Sequence, residues 1–305
     1  MIQQHSPRRL WRVWGRCARL GVIVLSAWLV ALHPASAQPA TVSDAGVQVV
    51  LKLGILPYLS PRTLFKRWEP LRAALQERLG RPVQFRTAPD YTTFSQRVAA
   101  HEYDVALSTS HLGRLAQVDA GLTPLARPVK PLYGVVIAQD PQIQTLADLS
   151  GRSVALPDPL AIVSLMGEEL LRQAGLEPGL NPEIIHFPGH RAAALGVRVG
   201  QADAAIISRF AFGFLPPADK AHLRVIGQTQ EIPSPVLLLA APQLSEGEQS
   251  ALQRAILTFC NETAAGKRFM QGFGYASMGV PSAEEMASLD HFLPATRQLL
   301  SAKNP

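Results

Sequence analysis

The sequence predicts an α/β protein of two lobes, each a doubly wound and mostly parallel sheet, joined by two crossings. Three observations carry this. Short apolar runs alternate with amphipathic stretches through Gly- and Pro-bearing turns, which is the pattern of β-α-β units. One such unit occurs twice: Asp90-Tyr91 leads through a helical stretch to Asp104 and the apolar run Val105 to Ser108, and Gly189-His190 leads likewise to Asp203 and Ala204 to Ser208. Tyr91 and His190 each stand 13 residues before their aspartate. Third, prolines at 124, 128 and 131 and again at 233 and 235 punctuate two segments, as crossings between lobes would.

The first residues read as an export leader. Arg8, Arg9, Arg12, Arg16 and Arg19 form a basic stretch without an acid, Leu20 to Leu32 is apolar, and Ala35-Ser36-Ala37 is a small-x-small cleavage site, so export by the general secretory route and cleavage after Ala37 are expected. The apolar run falls short of the ~20 residues a membrane span needs. Without residues 1–37 the chain keeps 24 Lys and Arg, 29 less the five in the leader, against 23 Asp and Glu. A near-neutral chain without a basic patch excludes nucleic acid as a partner. Cys17 leaves with the leader, so Cys260 stands alone, within an apolar stretch, and reads as a small core residue.

The elements follow in order. Gln38 to Gly46 is a small, polar tail. Val47 to Leu56 is a strand buried on both faces, and Trp68, Leu71, Leu75 and Leu79 recur at helical spacing up to Gly80. Pro82 to Arg86 is a second strand, followed by the first repeat unit, and His111 to Ala120 is a helix behind Ser108-Thr109-Ser110. The stretch from Leu125 to Ile137 is the first crossing, ending in the strand Leu132 to Ile137. In the second lobe come a strand near Ser153-Val154-Ala155, a helix from Ala161 to Ala174, a strand from Glu183 to His186, the second repeat unit and a strand from Leu223 to Ile226. Gln230 to Pro235 crosses back, Val236 to Ala240 completes the first sheet, and helices end the chain over 246–265, briefly near Lys267, and over 283–300, the last with a capping-box pattern at Ser282 and Glu285. The division expected is 1–37 leader, 47–128 with 236–305 as lobe I, and 129–235 as lobe II.

Catalytic motifs are missing: there is no Gly-x-Ser-x-Gly, no phosphate-binding Gly-x-x-x-x-Gly-Lys and no His-Glu-x-x-His. His186 and His190 are four apart, but Pro188-Gly189 between them prevents a shared helix face. No catalytic residue, metal or cofactor is therefore assigned. Helix starts at strand ends are better candidates, because their first N–H groups lack internal partners and their dipole end is positive. Ser108, Thr109 and Ser110 lie at such a place. Tyr91 and His190 share a position in the repeat and can both stack or hydrogen-bond. Tyr58 follows the first strand, Tyr133 lies in the crossing, and Ser164 and Ser208 complete the ligand-binding set. Asp104 and Asp203 fall at the remote strand ends and are expected to cap turns there.

The chain resembles the phosphate/phosphite/phosphonate-binding proteins of bacterial ABC importers, which are type II periplasmic binding proteins. The likeness runs over about residues 49–295. It rests on Leu53-Gly54-Ile55-Leu56-Pro57-Tyr58, Trp68-Glu69-Pro70-Leu71, Leu79-Gly80-Arg81-Pro82-Val83, Asp90-Tyr91, Asp104-Val105-Ala106, Leu149 to Ala155, Asp158-Pro159, Gly189-His190, Gly200 to Ala204 and Ile232-Pro233-Ser234. The resemblance implies a monomer that captures a small anionic or polar ligand between its lobes in the periplasm and hands it to a permease in the inner membrane. It also implies that Tyr91, Tyr133 and His190 approach the ligand. A periplasmic sensing partner of a membrane signalling protein, and an enzyme on the same fold, are the competing readings. The family's Ser-x-Ser-Gly after Asp-Pro-x is here Ala161-Ile162-Val163-Ser164, its Gly-Pro after the third strand is Thr109-Ser110, and its nearby Tyr is Gly113. Either Ser108-Thr109-Ser110 supplies donors from the other lobe, or the ligand is less charged or more apolar.

Overall fold

A computed structural model describes residues 49–302. The expected leader, its cleavage site and Cys17, and the polar tail lie outside the described residues. The first sheet holds β1 (Leu51–Ile55), β2 (Val83–Arg86), β3 (Val105–Thr109) and β4 (Thr123–Pro128), with α1 (Pro61–Leu79), α2 (Tyr91–Ala99) and α3 (Ser110–Ala120) between them. The chain then enters a second sheet through β5 (Gly134–Ala138), β6 (Ser153–Leu156), β7 (Glu183–His186), β8 (Ala204–Ser208) and β9 (Arg224–Gln228), with α4 (Ile162–Gln173), α5 (His190–Arg198), α6 (Arg209–Phe214) and α7 (Pro217–Lys220). It returns through β10 (Val236–Ala240), α8 (Glu246–Glu262), α9 (Ala264–Gly272), β11 (Met278–Gly279), α10 (Ala283–Ala287) and α11 (Leu293–Ala302).

The strand orders are β11-β4-β10-β3-β1-β2 and β7-β6-β8-β5-β9. Both sheets are mixed, each around a parallel set: β1 pairs in parallel with β2 and β3, and β6 with β7 and β8. Besides the two-residue β11 at the edge, the reversed strands are β10, antiparallel to β3 and β4, and β5, antiparallel to β8 and β9. These are the two strands that arrive from the other lobe. A strand entering from that side must run against neighbours whose carboxyl ends point toward it. The register shows this directly: Val236, just after one crossing, faces Thr109 at the end of β3, and Gly134, just after the other, faces Ser208 at the end of β8. The crossings themselves are tied by reciprocal 2.9 Å bonds between Leu132 and Ile232.

Alternation along the strands buries both sheet faces. In lobe I, Leu51, Leu53, Ile55, Val105 and Leu107 meet Trp68, Leu71 and Leu75 of α1 and Ile256 and Phe259 of α8, while Ala106, Leu237 and Leu239 meet Phe94, Val98 and Leu112 on the other face. In lobe II, Val154, Leu156 and Ile206 pack on α4, and Ile137, Ala205 and Ile207 on α5. Each fully buried aliphatic side chain contributes roughly 1.5–3 kcal/mol. Gly54 is required by close approach, since a Cβ there would lie 2.4 Å from the Tyr103 ring.

Four elements depart from expectation. Val49 and Val50 are exposed and β1 begins at Leu51, where pairing with Val83 begins. The segment after Pro124 is a strand, β4, rather than the start of the crossing. Pro124 is accommodated because β11 meets the outer edge of β4 only at Arg127 and Pro128, and Pro128 is the last residue of the strand. The helix expected to run to residue 265 ends at Glu262, because Thr263 caps α9, the short helix expected near Lys267. The stretch 283–300 breaks likewise into α10, one 3-10 turn and α11. In that break Leu289 and Phe292 join the core of the second sheet, whereas Met286 belongs to the first.

Candidate ligand-binding site

The carboxyl ends of β1, β3, β6 and β7 lead into α1, α3, α4 and α5, and none of these helices has a side-chain cap at Ser60, Thr109, Ala161 or Gly189. By contrast, α8 and α10 carry complete capping boxes at Ser245 and Ser282. α2 and α6 are capped, by Asp90 and Ser208. First-turn N–H groups without a side-chain cap are therefore gathered where the strands of both lobes end, and each helix adds the positive end of its dipole.

Tyr91 and His190 are both the first residue of a nine-residue helix, α2 and α5. Burial raises the pKa of the Tyr91 hydroxyl, and the charges of Asp158, from lobe II, and Tyr58 add to it. Tyr58 is 36% exposed, yet crowding by the protein raises its pKa too, against the lowering effect of the 2.9 Å bond from Trp68 Nε1 and of Arg67. A phenol so enclosed but still open on one side lines a concavity. Burial likewise raises the pKa of Tyr275, which feels Tyr58 as well. Tyr58, Tyr91 and Tyr275 form a wall of protonated phenols in lobe I. Tyr275 was not singled out by the sequence, because it lies in a stretch between helices without a motif. Phe210 of α6 stacks on it from lobe II, with ring centroids 6.2 Å apart and planes at 25°.

In lobe II, burial lowers the pKa of His190 to about 4, so its imidazole is neutral. Its Nδ1 accepts a long, 3.4 Å bond from the Ser208 N–H, which leaves the ring proton on Nε2 as a free donor. Tyr133 packs beside this pair against the core of α5, and its carbonyl accepts from the Arg209 N–H.

The serines are used differently. The Ser110 hydroxyl donates to the carbonyl of Ser234 in the return crossing. Ser164 donates to the Asp158 carbonyl at 2.9 Å, and Ser208 Oγ accepts from Ala211 N–H at 3.0 Å. Ser108 lies with Thr92 along a cavity of about 340 Å³ between α2, α3 and α11. The first-turn residues Ile162 and Val163 of α4 are buried in the lobe II core.

Two groups at the start of α3 remain. Thr109 Oγ1 and both ring nitrogens of His111 are buried without a hydrogen-bond partner. His111 is 0% exposed. Burial lowers its pKa to about 3, and the nearby backbone of Leu160, in lobe II, raises it less. The Leu160 contact perturbs the ring without meeting hydrogen-bond geometry. His111 therefore sits at the seam, and it escaped the sequence reading because a histidine followed by leucines in an amphipathic helix looks like packing. The one sequence signal was its place in the first turn after a strand.

A family profile described as "ABC transporter, phosphonate, periplasmic substrate-binding protein" matches residues 53–286. The chain is 27% identical over 199 residues to the phosphate-import protein PhnD of Mycolicibacterium smegmatis, covering 58% of this chain and 61% of that relative. Among solved structures it is similar to PhnD1 from Prochlorococcus marinus in complex with methylphosphonate (TM-score 0.71, 18% identity, 81% and 98% of the two chains). It is also similar to a binding-protein component of an ABC phosphonate transporter from Pseudomonas aeruginosa (TM-score 0.65, 19% identity, 85% and 100%). The structural likenesses show the two-lobed type II fold. With the family match spanning most of its length, the chain belongs to the periplasmic substrate-binding proteins of phosphonate ABC transporters, a non-enzymatic class.

Proposed function

We propose that this protein captures a small phosphonate, phosphite or related oxyanion between its lobes and presents the closed form to an ABC permease in the inner membrane. In this reading it is exported under a leader cleaved after Ala37 and works as a monomer. Residues 47–128 with 236–305, and 129–235, are the two bodies that close about hinges near Pro128–Tyr133 and Glu231–Pro235. The observation that carries the reading is the buried, unpartnered pair Thr109 and His111 at the lobe seam, beside helix starts that no side chain caps. Tyr58, Tyr91, Tyr133 and His190 are the proposed surrounding contacts. Ser110, Ser164 and Ser208 support the site through the bonds they already make, and Ser108 stands behind α3.

A thermal-shift series with methylphosphonate, other phosphonates, phosphite, phosphate and sulfonates tests this. A ligand at 100 times its Kd stabilises the native state by about 2.7 kcal/mol. For a chain of this size that raises Tm by several degrees. If no phosphorus oxyanion raises Tm while an unrelated class does, the ligand assignment is wrong.

A further inference from the structure

His111 is the second residue of α3, and its imidazole has no exposed surface and no hydrogen bond. Two residues before it the Thr109 hydroxyl is buried in the same state. Polar groups sealed in this way weaken a fold unless something arrives to satisfy them. The chemistry of what arrives follows from what the pair offers. A neutral imidazole has one N–H donor and one bare nitrogen that accepts, and a hydroxyl both donates and accepts. A site for a fully ionised anion needs donors only.

The charged and titratable groups of the neighbouring elements agree with this. On α3 itself, Arg114 is committed to Asp290 at 2.7 Å. From lobe II, Asp158 holds the Leu160 N–H at 2.8 Å and acts electrostatically on Tyr91. On α2, Tyr91 is held protonated by burial and by Asp158. The Asp158 carboxylate opposes a second negative charge on a ligand enclosed with it.

Resting on the solute-binding reading above, we propose that His111 and Thr109 select a singly charged tetrahedral oxyanion that keeps an acidic hydrogen, as a hydrogen phosphonate does. The ligand O–H donates to the bare imidazole nitrogen, its other oxygens accept from the imidazole N–H and the Thr109 hydroxyl, and the uncapped first turn of α3 faces the remaining charge.

The test is calorimetric titration of the chain with methylphosphonate at about pH 6 and about pH 8.5, values on either side of its second ionisation, with sulfate as an anion that carries no proton. The variants are His111→Leu, which removes both nitrogens, and His111→Gln, whose amide keeps a donor and an acceptor. The wild type is expected to bind methylphosphonate about tenfold more tightly at the lower pH and sulfate more weakly than either. His111→Leu loses about tenfold in affinity at the lower pH and loses the pH preference, and His111→Gln retains most of both. Ligand-free His111→Leu melts no lower than the wild type, because it removes an unsatisfied buried group. Unchanged binding and pH preference in His111→Leu would overturn this inference and leave the solute-binding function standing. So would sulfate binding as tight as methylphosphonate, or a preference for the higher pH. A lower melting temperature of ligand-free His111→Leu with unchanged affinity makes His111 a packing residue. Failure of the wild type to bind methylphosphonate, phosphite or phosphate at either pH overturns the functional reading, and this one with it.

Discussion

Asp104 and Asp203 hold equivalent places in the two sheets. Each stands just before a central strand and accepts a backbone N–H within the first two residues of the neighbouring one: Lys52 N–H to Asp104 at 2.7 Å, Ser153 N–H to Asp203 at 2.8 Å. Each returns its own N–H to the same residue's carbonyl at 3.0 Å. Burial raises the pKa of the Asp203 carboxyl, but the Ser153 N–H and hydroxyl and the Arg152 charge outweigh it, so the net shift is downward. A depressed carboxylate contributes stability that is present above the usual Asp pKa and lost as pH falls through its lower folded value. Asp203→Ala should therefore cost about 1–2 kcal/mol at neutral pH in urea unfolding, with little change in ligand affinity. The difference from wild type should shrink near pH 2–3. A difference that persists there would mean the side chain acts through packing.

Phe210 and Tyr275 meet across the seam, and Lys130 Nζ, which donates to the Gly274 carbonyl at 2.7 Å, lies 5.7 Å from the Phe210 ring centroid. An aromatic pair of this kind adds about 1 kcal/mol beyond its buried area. Phe210→Ala should shift the ligand-free protein roughly fivefold toward the open form. Small-angle scattering would show a larger radius of gyration before ligand and the wild-type value at saturation. Identical curves without ligand would remove the contact from any role in closure.

The two-lobe plan was legible because it is written locally. Strand and helix alternation, the glycines after α1 and α3, and the 13-residue spacing that places Tyr91 and His190 at matching helix starts all act over short stretches of chain. β4 was hidden by Pro124 and Pro128, which oppose a strand unless the edge is open, and that depends on the distant β11. The roles of the hydroxyls were hidden for the same reason. Ser110 answers a carbonyl 124 positions away. His111 was invisible as a site residue because burial without a partner is a property of the assembled seam.

Cys260 is fully buried, and burial pushes its thiol pKa up to about 12. The reactive species is the thiolate, so this side chain should be inert in the native state. A disulfide reagent at about pH 8 should label the folded chain negligibly and the urea-unfolded chain stoichiometrically. Fast labelling without denaturant would show that the face between α8 and β1 opens readily, contrary to its packing.

His190 gives the pH dependence a definite sign. Its pKa is lowered from 6.5 to about 4 by burial, so the unfolded chain binds a proton in this range that the native chain refuses. Stability is then complete above pH ~6.5 and falls as pH drops toward the folded value. The ring keeps some exposure, so the loss is discounted to about 2 kcal/mol. His111, held near 3, extends the slope further into acid. His190→Gln should flatten unfolding free energy between about pH 6.5 and 4 by close to one proton. His190→Ala should leave the fold intact while weakening ligand binding at neutral pH, because it removes the Nε2 donor. If His190→Ala binds methylphosphonate as the wild type does while the acid slope still flattens, the ring is a buried packing group. Its match to Tyr91 would then reflect the symmetry of the fold and not a shared contact.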